Sequence, residues 1–133
     1  MLFRSPDRKI RASRSTFRVG GGGINISRAI TRLRGSSVAI FPCGGAAGEA
    51  LLTQMTREGI ETRPVPIFES TRENVNVTDL SNGHEYRFIV PGPQLGLTEW
   101  QKCLKTLQLL SPHPNYIMTN GTLPTRTPIN FYA

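Results

Sequence analysis

Apolar and polar residues follow two different periods along the first half of the chain, and each period predicts a type of element. After the glycine run 20–23, apolar residues recur at positions i, i+3, i+4 and i+7, which predicts an amphipathic helix. The apolar stripe of this helix is formed by Ile26, Ala29, Ile30 and Leu33. Gly35 lies just past it, where a left-handed helix cap is expected. The apolar run 37–41 predicts a buried strand, and a second helical pattern ends at Gly59. This alternation predicts the α/β class with a parallel sheet and crossover helices.

The middle of the chain changes to period-2 alternation, which is typical of strands with two different faces. Residues 74–79 and 86–90 each alternate in this way, and they flank the segment 81–84. Its Asn82-Gly83 pair predicts a type I′ hairpin turn, in which both central residues have positive φ. Such a hairpin does not suit the main parallel sheet, and we interpret it as a flap.

The last third predicts one more complete helix and a further strand. Thr98 and Gln101 have the spacing of a capping box, with Thr98 as the N-cap. The apolar run 116–118 predicts a short strand. Pro128 suits the first position of another helix, which would be about one turn long and too short to be stable alone. We therefore expect the sequence to stop inside an element.

Positive charge is concentrated in the first quarter of the sequence. The net charge is +7, and residues 1–34 carry nine basic residues against Asp7 alone. Residues 35–133 carry seven basic and eight acidic residues. Four explanations stay open: a nucleic-acid-binding arm, a transit peptide, a segment that meets a phosphorylated ligand, and a solvated basic face. The nucleic-acid explanation is weak, because few aromatic residues lie among the basic ones and no known binding motif is present.

Composition argues against several other classes of protein. No apolar run approaches the roughly 18 residues of a membrane span, and the start lacks the apolar stretch of a secretory signal. The cysteines, Cys43 and Cys103, and the two histidines lie far apart and lack metal-ligand spacing. We expect a reduced, cytoplasmic protein with no metal site and no membrane partner.

The glycine run before the first predicted helix is the sharpest chemical feature of the sequence. Glycine lets the backbone approach a ligand closely, and a helix start offers free N–H groups. A dinucleotide-binding fingerprint is excluded, because the sixth position from Gly20 is Asn25 rather than glycine. A phosphate-binding loop is excluded because the sequence has no Gly-Lys-Ser/Thr. A flexible linker would not account for an amide side chain in the first helical turn.

Two segments carry a family resemblance: Gly21-Gly22-Gly23-Ile24-Asn25-Ile26-Ser27-Arg28-Ala29-Ile30 and Phe41-Pro42-Cys43-Gly44-Gly45. They closely resemble the first signature of the PfkB (ribokinase-like) carbohydrate kinases. The resemblance continues to the end of the chain and is strongest with the sugar-phosphate branch: minor-type 6-phosphofructokinase, 1-phosphofructokinase and tagatose-6-phosphate kinase. The departures are Arg34, where the family usually has glycine, and Pro124-Thr125-Arg126, where it has Pro-Pro-Gly.

The resemblance implies a ribokinase-like parallel-sheet α/β sandwich and a set of substrate-binding residues. In that branch the glycine run and its asparagine contact sugar hydroxyls, which here implies Gly22, Gly23 and Asn25. The arginine of the Thr-Arg-x-Asn segment binds the substrate phosphate, which implies Arg72. The planar fork of an arginine suits a phosphate because it donates two hydrogen bonds at once. The simpler alternative for Arg72 is a solvated strand charge.

Further expectations concern the lid and its surroundings. The hairpin of about residues 72–90 matches the family's lid, which covers the sugar and pairs with the lid of a second subunit, so a homodimer is implied. Lys9 lies in a segment similar to the family's Lys-Leu-Arg and is expected to reach phosphates from a lid strand. Thr122 retains a hydroxyl where the family has a serine. The alternative is that the apolar face of the hairpin packs on its own domain.

The resemblance also indicates what the sequence lacks. Transfer of a phosphoryl group to a sugar hydroxyl needs a base and donors around the moving group. The family supplies these, and most of its ATP site, from a Gly-Ala-Gly-Asp loop, and the full-length enzymes use ATP and Mg²⁺. This sequence has no such loop, and its only aspartates are Asp7 and Asp79. We therefore predict no catalytic residue in this chain.

These observations lead to three functional hypotheses. The first is the substrate-binding N-terminal half of an ATP-dependent kinase acting on a sugar phosphate, with fructose 6-phosphate favoured; it has a basic lid segment at 1–19 and a partial, truncated domain at 20–133. The second is a non-catalytic remnant that binds a sugar phosphate or a partner through its lid. The third and weakest is a basic nucleic-acid-binding module, for which steeply salt-dependent binding would be the sign.

Overall fold

The computed structural model describes residues 9–124, 127, 128, 130 and 131, which form two compact units. The hairpin unit combines the described part of Met1–Arg18 with Glu73–Pro91, and the core unit combines Val19–Arg72 with the described part of Gly92–Ala133. The elements in chain order are α1 (Gly22–Arg32), β1 (Val38–Cys43), α2 (Gly45–Arg57), β2 (Glu61–Pro66), β3 (Val75–Asp79), β4 (His84–Phe88) and α3 (Leu97–Gln108).

A β–α–β arrangement forms the centre of the core unit. Strands β1 and β2 are parallel, with register from Val38 opposite Glu61 to Cys43 opposite Pro66, and α2 connects them. The predicted α/β class with a parallel sheet is therefore confirmed. Strand β2 was not predicted, because its sequence contains Pro64 and Pro66. Proline lacks the N–H group of a ladder residue and weakens the strand pattern.

The hydrophobic core lies where α1 and α2 meet β1. It is built from buried Val19, Ile24, Ala39, Met55 and Ile60, with Phe41 and Leu51 packed against them. Met55 is completely buried, and burial of such a side chain contributes about 1.5–3 kcal/mol. The buried face of α1 differs from the predicted one: it centres on Ile24 and Ser27, whereas Leu33 is 83% exposed. The reason is that α1 begins at Gly22, one turn before the predicted stripe, and ends before Leu33.

Helices α1 and α2 end in the same hydrogen-bond motif. After α1, Gly35 N donates to Ile30 O and Arg34 N donates to Thr31 O, which is the Schellman pattern. Arg34, with φ 61°, takes the left-handed position. The prediction that Gly35 is the left-handed residue is therefore wrong by one position.

The hairpin unit contains an antiparallel pair with two chemically different faces. Strand β3 pairs with β4 from Val75 opposite Phe88 to Asp79 opposite His84. The pairs Val75–Phe88 and Val77–Tyr86 share one face, and Asn76–Arg87 and Thr78–Glu85 share the other, because side chains alternate along a strand. The prediction of a hairpin inserted into an α/β chain is confirmed.

The turn of this hairpin is not the predicted type I′ turn. Asn82 N donates to Asp79 O, Gly83 N donates to the same oxygen at 2.8 Å, and only Gly83 of the turn has positive φ, at 74°. The buried Asp79 carboxylate accepts hydrogen bonds from Ser81 N, Ser81 Oγ and Asn82 Nδ2. These bonds stabilise a wider four-residue loop with Asn82 in an ordinary conformation.

The segment around α3 corrects two further predictions. The N-cap of α3 is Gly96 rather than Thr98, and Glu99 accepts hydrogen bonds from Gly96 N and Phe68 N, both at 2.7 Å. These bonds lower the pKa of the Glu99 carboxyl. Residues 116–118 do not form a strand and lie largely exposed, because no strand of the described residues pairs with them. The helix expected at Pro128 falls partly outside the described residues. Across those residues, no helix is long and apolar enough to cross a membrane.

Candidate functional site

The glycine run leads into α1, whose first two residues are Gly22 and Gly23. Gly21 has φ 112°, a conformation that favours glycine, and its carbonyl accepts the hydrogen bond from Asn25 N at 2.9 Å. A Cβ atom on Gly22 would overlap with the amide of Asn120. The side chain of Asn120 therefore lies directly against the start of α1. A larger residue at position 22 would displace the Asn120 side chain from this position.

The Asn25 side chain is exposed in the first turn of α1 and is held by Arg28. The Oδ1 atom of Asn25 accepts a hydrogen bond from Arg28 Nη1 at 2.6 Å. Arginine can only donate, so the oxygen of the amide must face it. The Nδ2 group therefore remains as the donor that Asn25 presents outward, which suits the hydroxyl oxygens of a sugar.

Arg72 follows a segment that is anchored at the carboxyl end of β1. Thr71 N donates to Gly44 O at 2.9 Å, and Gly44 N donates to Thr71 Oγ1 at 3.0 Å. A Cβ atom on Gly44 would overlap with the carbonyl oxygens of Ile67 and Glu69, so this close approach also requires glycine. Ligands of α/β proteins commonly bind outside the carboxyl ends of parallel strands. Arg72 is thus held at a suitable edge of the sheet.

The Arg72 side chain itself is exposed and extends past Gly92. Its Cδ and Nη1 atoms lie 3.8 Å from where a Cβ of Gly92 would be. Among the described residues, none forms an ion pair or a hydrogen bond with its guanidinium. Arg28, in contrast, is paired with Glu58. Of these two arginines, Arg72 is the one whose guanidinium donors are available to an anion.

The remaining predicted site residues lie in different parts of the molecule. Thr122 is exposed, two residues beyond the asparagine that contacts Gly22, and Gly23 lies in the first turn of α1 with open space above its Cα. Lys9 is exposed and belongs to the hairpin unit. The structure thus places Asn120 against the glycine run, whereas Lys9 belongs to a separate unit. The roles of these residues in binding stay predictions.

Three polar residues of this region were missed by sequence reasoning: Arg28, Glu58 and Asn120. The spacing of Asn25 and Arg28, three residues apart on a helix, is a signal that could have indicated their contact. Glu58 lies 30 residues away from its partner, and no local pattern predicts such a pair.

The two cysteines of the core unit are partly or fully shielded from solvent. Burial raises the pKa of the Cys43 and Cys103 thiols, so both are protonated at neutral pH. A thiolate is the nucleophilic form of cysteine, and these side chains are therefore not suited to nucleophilic catalysis. Among the described residues there is also no group of three histidine, cysteine, aspartate or glutamate side chains that could hold a metal ion.

Comparison with known proteins places this chain in a family. Residues 2–131 match the model of the pfkB family carbohydrate kinases. The ATP-dependent 6-phosphofructokinase isozyme 2 of Mycobacterium tuberculosis is 35% identical over 127 residues, which are 96% of this chain and 38% of that protein. The chain therefore spans well under half the length of this curated relative.

Solved structures give the same result for the fold. The crystal structure of phosphofructokinase-2 from Escherichia coli in complex with fructose-6-phosphate superposes with a TM-score of 0.82 at 33% identity, covering 96% of this chain and 42% of that one. The tetrameric inhibited form of the same enzyme superposes with a TM-score of 0.71 at 39% identity, covering 77% of this chain and 34% of that one. This chain belongs to the pfkB family of carbohydrate kinases.

Proposed function

We propose that this chain is the substrate-binding part of an ATP-dependent sugar-phosphate kinase that acts on fructose 6-phosphate. The observation that carries the proposal is Arg72, which the Thr71–Gly44 bonds hold beside the carboxyl end of β1 with its guanidinium unpaired among the described residues. A phosphate group is the natural partner of such a fork. The similarity to a phosphofructokinase in complex with fructose 6-phosphate supports this choice of substrate.

The other site residues have complementary roles in this proposal. Backbone N–H groups at Gly22 and Gly23 and the Nδ2 group of Asn25 bind the hydroxyls of the sugar. Thr122 adds a hydroxyl from the segment that follows Asn120, and Lys9 is assigned a role in binding phosphate. Each of these groups donates hydrogen bonds, which matches the oxygen-rich surface of a sugar phosphate.

The hairpin unit serves as a lid and as a dimer contact in the proposed enzyme. The hairpin unit forms the lid and the core unit forms the substrate domain, so Val19 and Arg72, which the sequence analysis assigned to the lid, belong to the substrate domain. The apolar face of the hairpin leaves Val75 and Phe88 about half exposed. An exposed apolar strand face is stabilised when a second one covers it, so we assign this face to a homodimer.

ATP supplies the phosphoryl group in the proposed reaction, and Mg²⁺ accompanies ATP. The described residues do not fit a magnesium site, because they include no suitable acidic cluster and Asp79 is bound within its own hairpin turn. What this chain contributes is recognition of the acceptor substrate. Binding and orientation of the sugar phosphate are the steps that its residues can perform.

The proposal is tested by calorimetric titration of the 133-residue chain with fructose 6-phosphate and with fructose. Arg72→Ala is expected to weaken binding of the phosphate ester about 10-fold or more, because a hydrogen bond between charged groups contributes about 1.5–3 kcal/mol. Binding of fructose should change little. Arg63→Ala is the matched control, since Arg63 is an exposed arginine of β2 paired with Glu61. Equal affinity of wild type and Arg72→Ala for fructose 6-phosphate would contradict the proposal.

A further inference from the structure

A connected set of polar side chains links α1 to α2 directly behind the glycine run. Arg28 donates from Nη1 to Asn25 Oδ1 at 2.6 Å and from Nη2 to the Val19 carbonyl at 3.0 Å. Its Nε atom is bonded to the Glu58 carboxylate. Gln54 Nε2 donates to the same carboxylate at 3.1 Å. Arg28 therefore joins three segments: the residue before the glycine run, the first turn of α1 and the end of α2.

The geometry of this set differs from that of an ordinary surface ion pair. The side chains of Arg28 and Glu58 are only 17% and 25% exposed. The bonds to Arg28 and Gln54 lower the pKa of the Glu58 carboxyl, which keeps it charged at neutral pH. Because the Arg28 guanidinium donates to three protein acceptors, it is committed to the protein. It acts on a ligand only through the residues that it holds.

Of the groups that Arg28 holds, the side chain of Asn25 is the one proposed to bind the ligand. An exposed asparagine samples several side-chain rotamers, and fixing one of them costs conformational entropy. The hydrogen bond from Arg28 to Oδ1 fixes the rotamer of Asn25 before the ligand binds, so binding loses less conformational entropy. It also selects the orientation in which Nδ2 faces outward. Pre-organisation of this kind raises affinity without adding a contact to the ligand.

We propose that Arg28 is a positioning residue, which fixes the amide of Asn25 for the sugar hydroxyls and is itself held by Glu58. This inference rests on the proposed function for the identity of the ligand. The link between Arg28 and Asn25 is independent of the proposed function, because it is present in the ligand-free chain.

The first experiment measures that link without any ligand. In the ¹⁵N-labelled chain, the two side-chain amide protons of Asn25 report on its hydrogen bond. We expect Arg28→Ala to shift these signals and bring the two protons toward the values of a free asparagine, and Glu58→Gln to cause a smaller change in the same direction. Arg57→Ala, at an exposed arginine beside Glu58 in sequence, is the control that should leave them in place. Unchanged Asn25 signals in Arg28→Ala would overturn the proposal.

The second experiment is a double-mutant cycle on the affinity for fructose 6-phosphate. Asn25→Ala and Arg28→Ala are each expected to weaken binding about 10-fold, and the double variant should bind no more weakly than Asn25→Ala alone. Losses that multiply to about 100-fold would show that Arg28 acts independently of Asn25, which overturns the positioning role. Glu58→Gln serves as the milder variant if Arg28→Ala does not fold. If the wild-type chain binds no sugar phosphate, the proposed function fails, and the amide signals alone decide the inference.

Discussion

Arg34 and Gly59 occupy equivalent positions at the ends of α1 and α2. Both have left-handed backbone, with φ 61° and 70°, and both are followed by an N–H group that closes the same motif. For a residue with a Cβ this conformation costs roughly 1–2 kcal/mol, whereas glycine adopts it freely. The same motif therefore occurs twice in the chain, once with a residue that disfavours the left-handed conformation and once with glycine, which adopts it freely.

We predict that Arg34→Gly raises the free energy of unfolding by about 0.5–1 kcal/mol. The relief of left-handed strain is partly offset by the greater entropy of glycine in the unfolded chain. Urea denaturation followed by far-ultraviolet circular dichroism measures the change. Gly59→Ala is the matched control. Apart from its chain neighbours, no other residue lies within 4 Å of the new Cβ, so the substitution adds only the strain of a left-handed backbone, and the free energy of unfolding should fall by a similar amount. A loss of stability in Arg34→Gly would show that the arginine side chain contributes more than its backbone costs.

The site residues show what local sequence can and cannot predict at this scale. The glycine run, Asn25 and Arg72 were recognisable because they lie in short segments whose chemistry is visible in order. The contact between Gly22 and Asn120 and the pair of Arg28 with Glu58 join distant segments. Such pairs depend on how elements pack, which no local period describes.

At the scale of elements, predictions succeeded where one period continued over several residues. The patterns before Gly35 and Gly59 and the period-2 runs of the hairpin are of this kind, and the structure contains α1, α2, β3 and β4. Strand β2 was missed because its prolines interrupt the pattern. Residues 116–118 were predicted as a strand because an apolar run indicates burial, but a strand also needs a neighbouring strand. Pairing is a property of the sheet and not of the run.

The two faces of the hairpin allow a test of the proposed dimer contact. We predict that Phe88→Glu, on the apolar face, converts a dimeric chain to monomers in sedimentation velocity, because a charge in the contact must lose its hydration. Asn76→Glu is the control on the opposite face, where the new carboxylate lies across from Arg87 and should leave the dimer intact. Circular dichroism confirms that both variants keep their strands. A Phe88→Glu variant that sediments like wild type would show that this face packs within its own subunit.

For the whole molecule, the distribution of charge and of side-chain hydrogen bonds is compatible with the proposed recognition of an anionic acceptor. Most of the positive charge lies in residues 1–34, and Arg72 adds an unpaired guanidinium in the core unit, within the described residues. Three acidic groups, in contrast, are bonded within the fold: Glu58 to Arg28, Glu99 to two backbone N–H groups, and Asp79 to its turn. The chain thus offers hydrogen-bond donors to a phosphate ester. None of these three carboxylates is available to accept a proton from a sugar hydroxyl.

We therefore predict that the 133-residue chain has no measurable kinase activity. A sugar hydroxyl must lose its proton as the phosphoryl group arrives, and a positioned base contributes about 10²–10⁴-fold to that step. Asp79 cannot serve as this base, because it is 1% exposed and its carboxylate accepts hydrogen bonds from Ser81 and Asn82. Asp7 lies outside the described residues, and in sequence it does not follow a glycine-rich turn.

The measurement is ADP release from ATP with fructose 6-phosphate, fructose 1-phosphate and tagatose 6-phosphate, each compared with a blank that lacks the chain. The 6-phosphofructokinase isozyme 2 of Mycobacterium tuberculosis serves as the positive control for the assay. Calorimetric binding of fructose 6-phosphate without ADP release is the expected combination, because binding needs donors whereas transfer also needs a base. Substrate-dependent turnover above the blank would contradict the prediction. Asp7→Asn and Asp79→Asn would then show which of the two aspartates removes the proton.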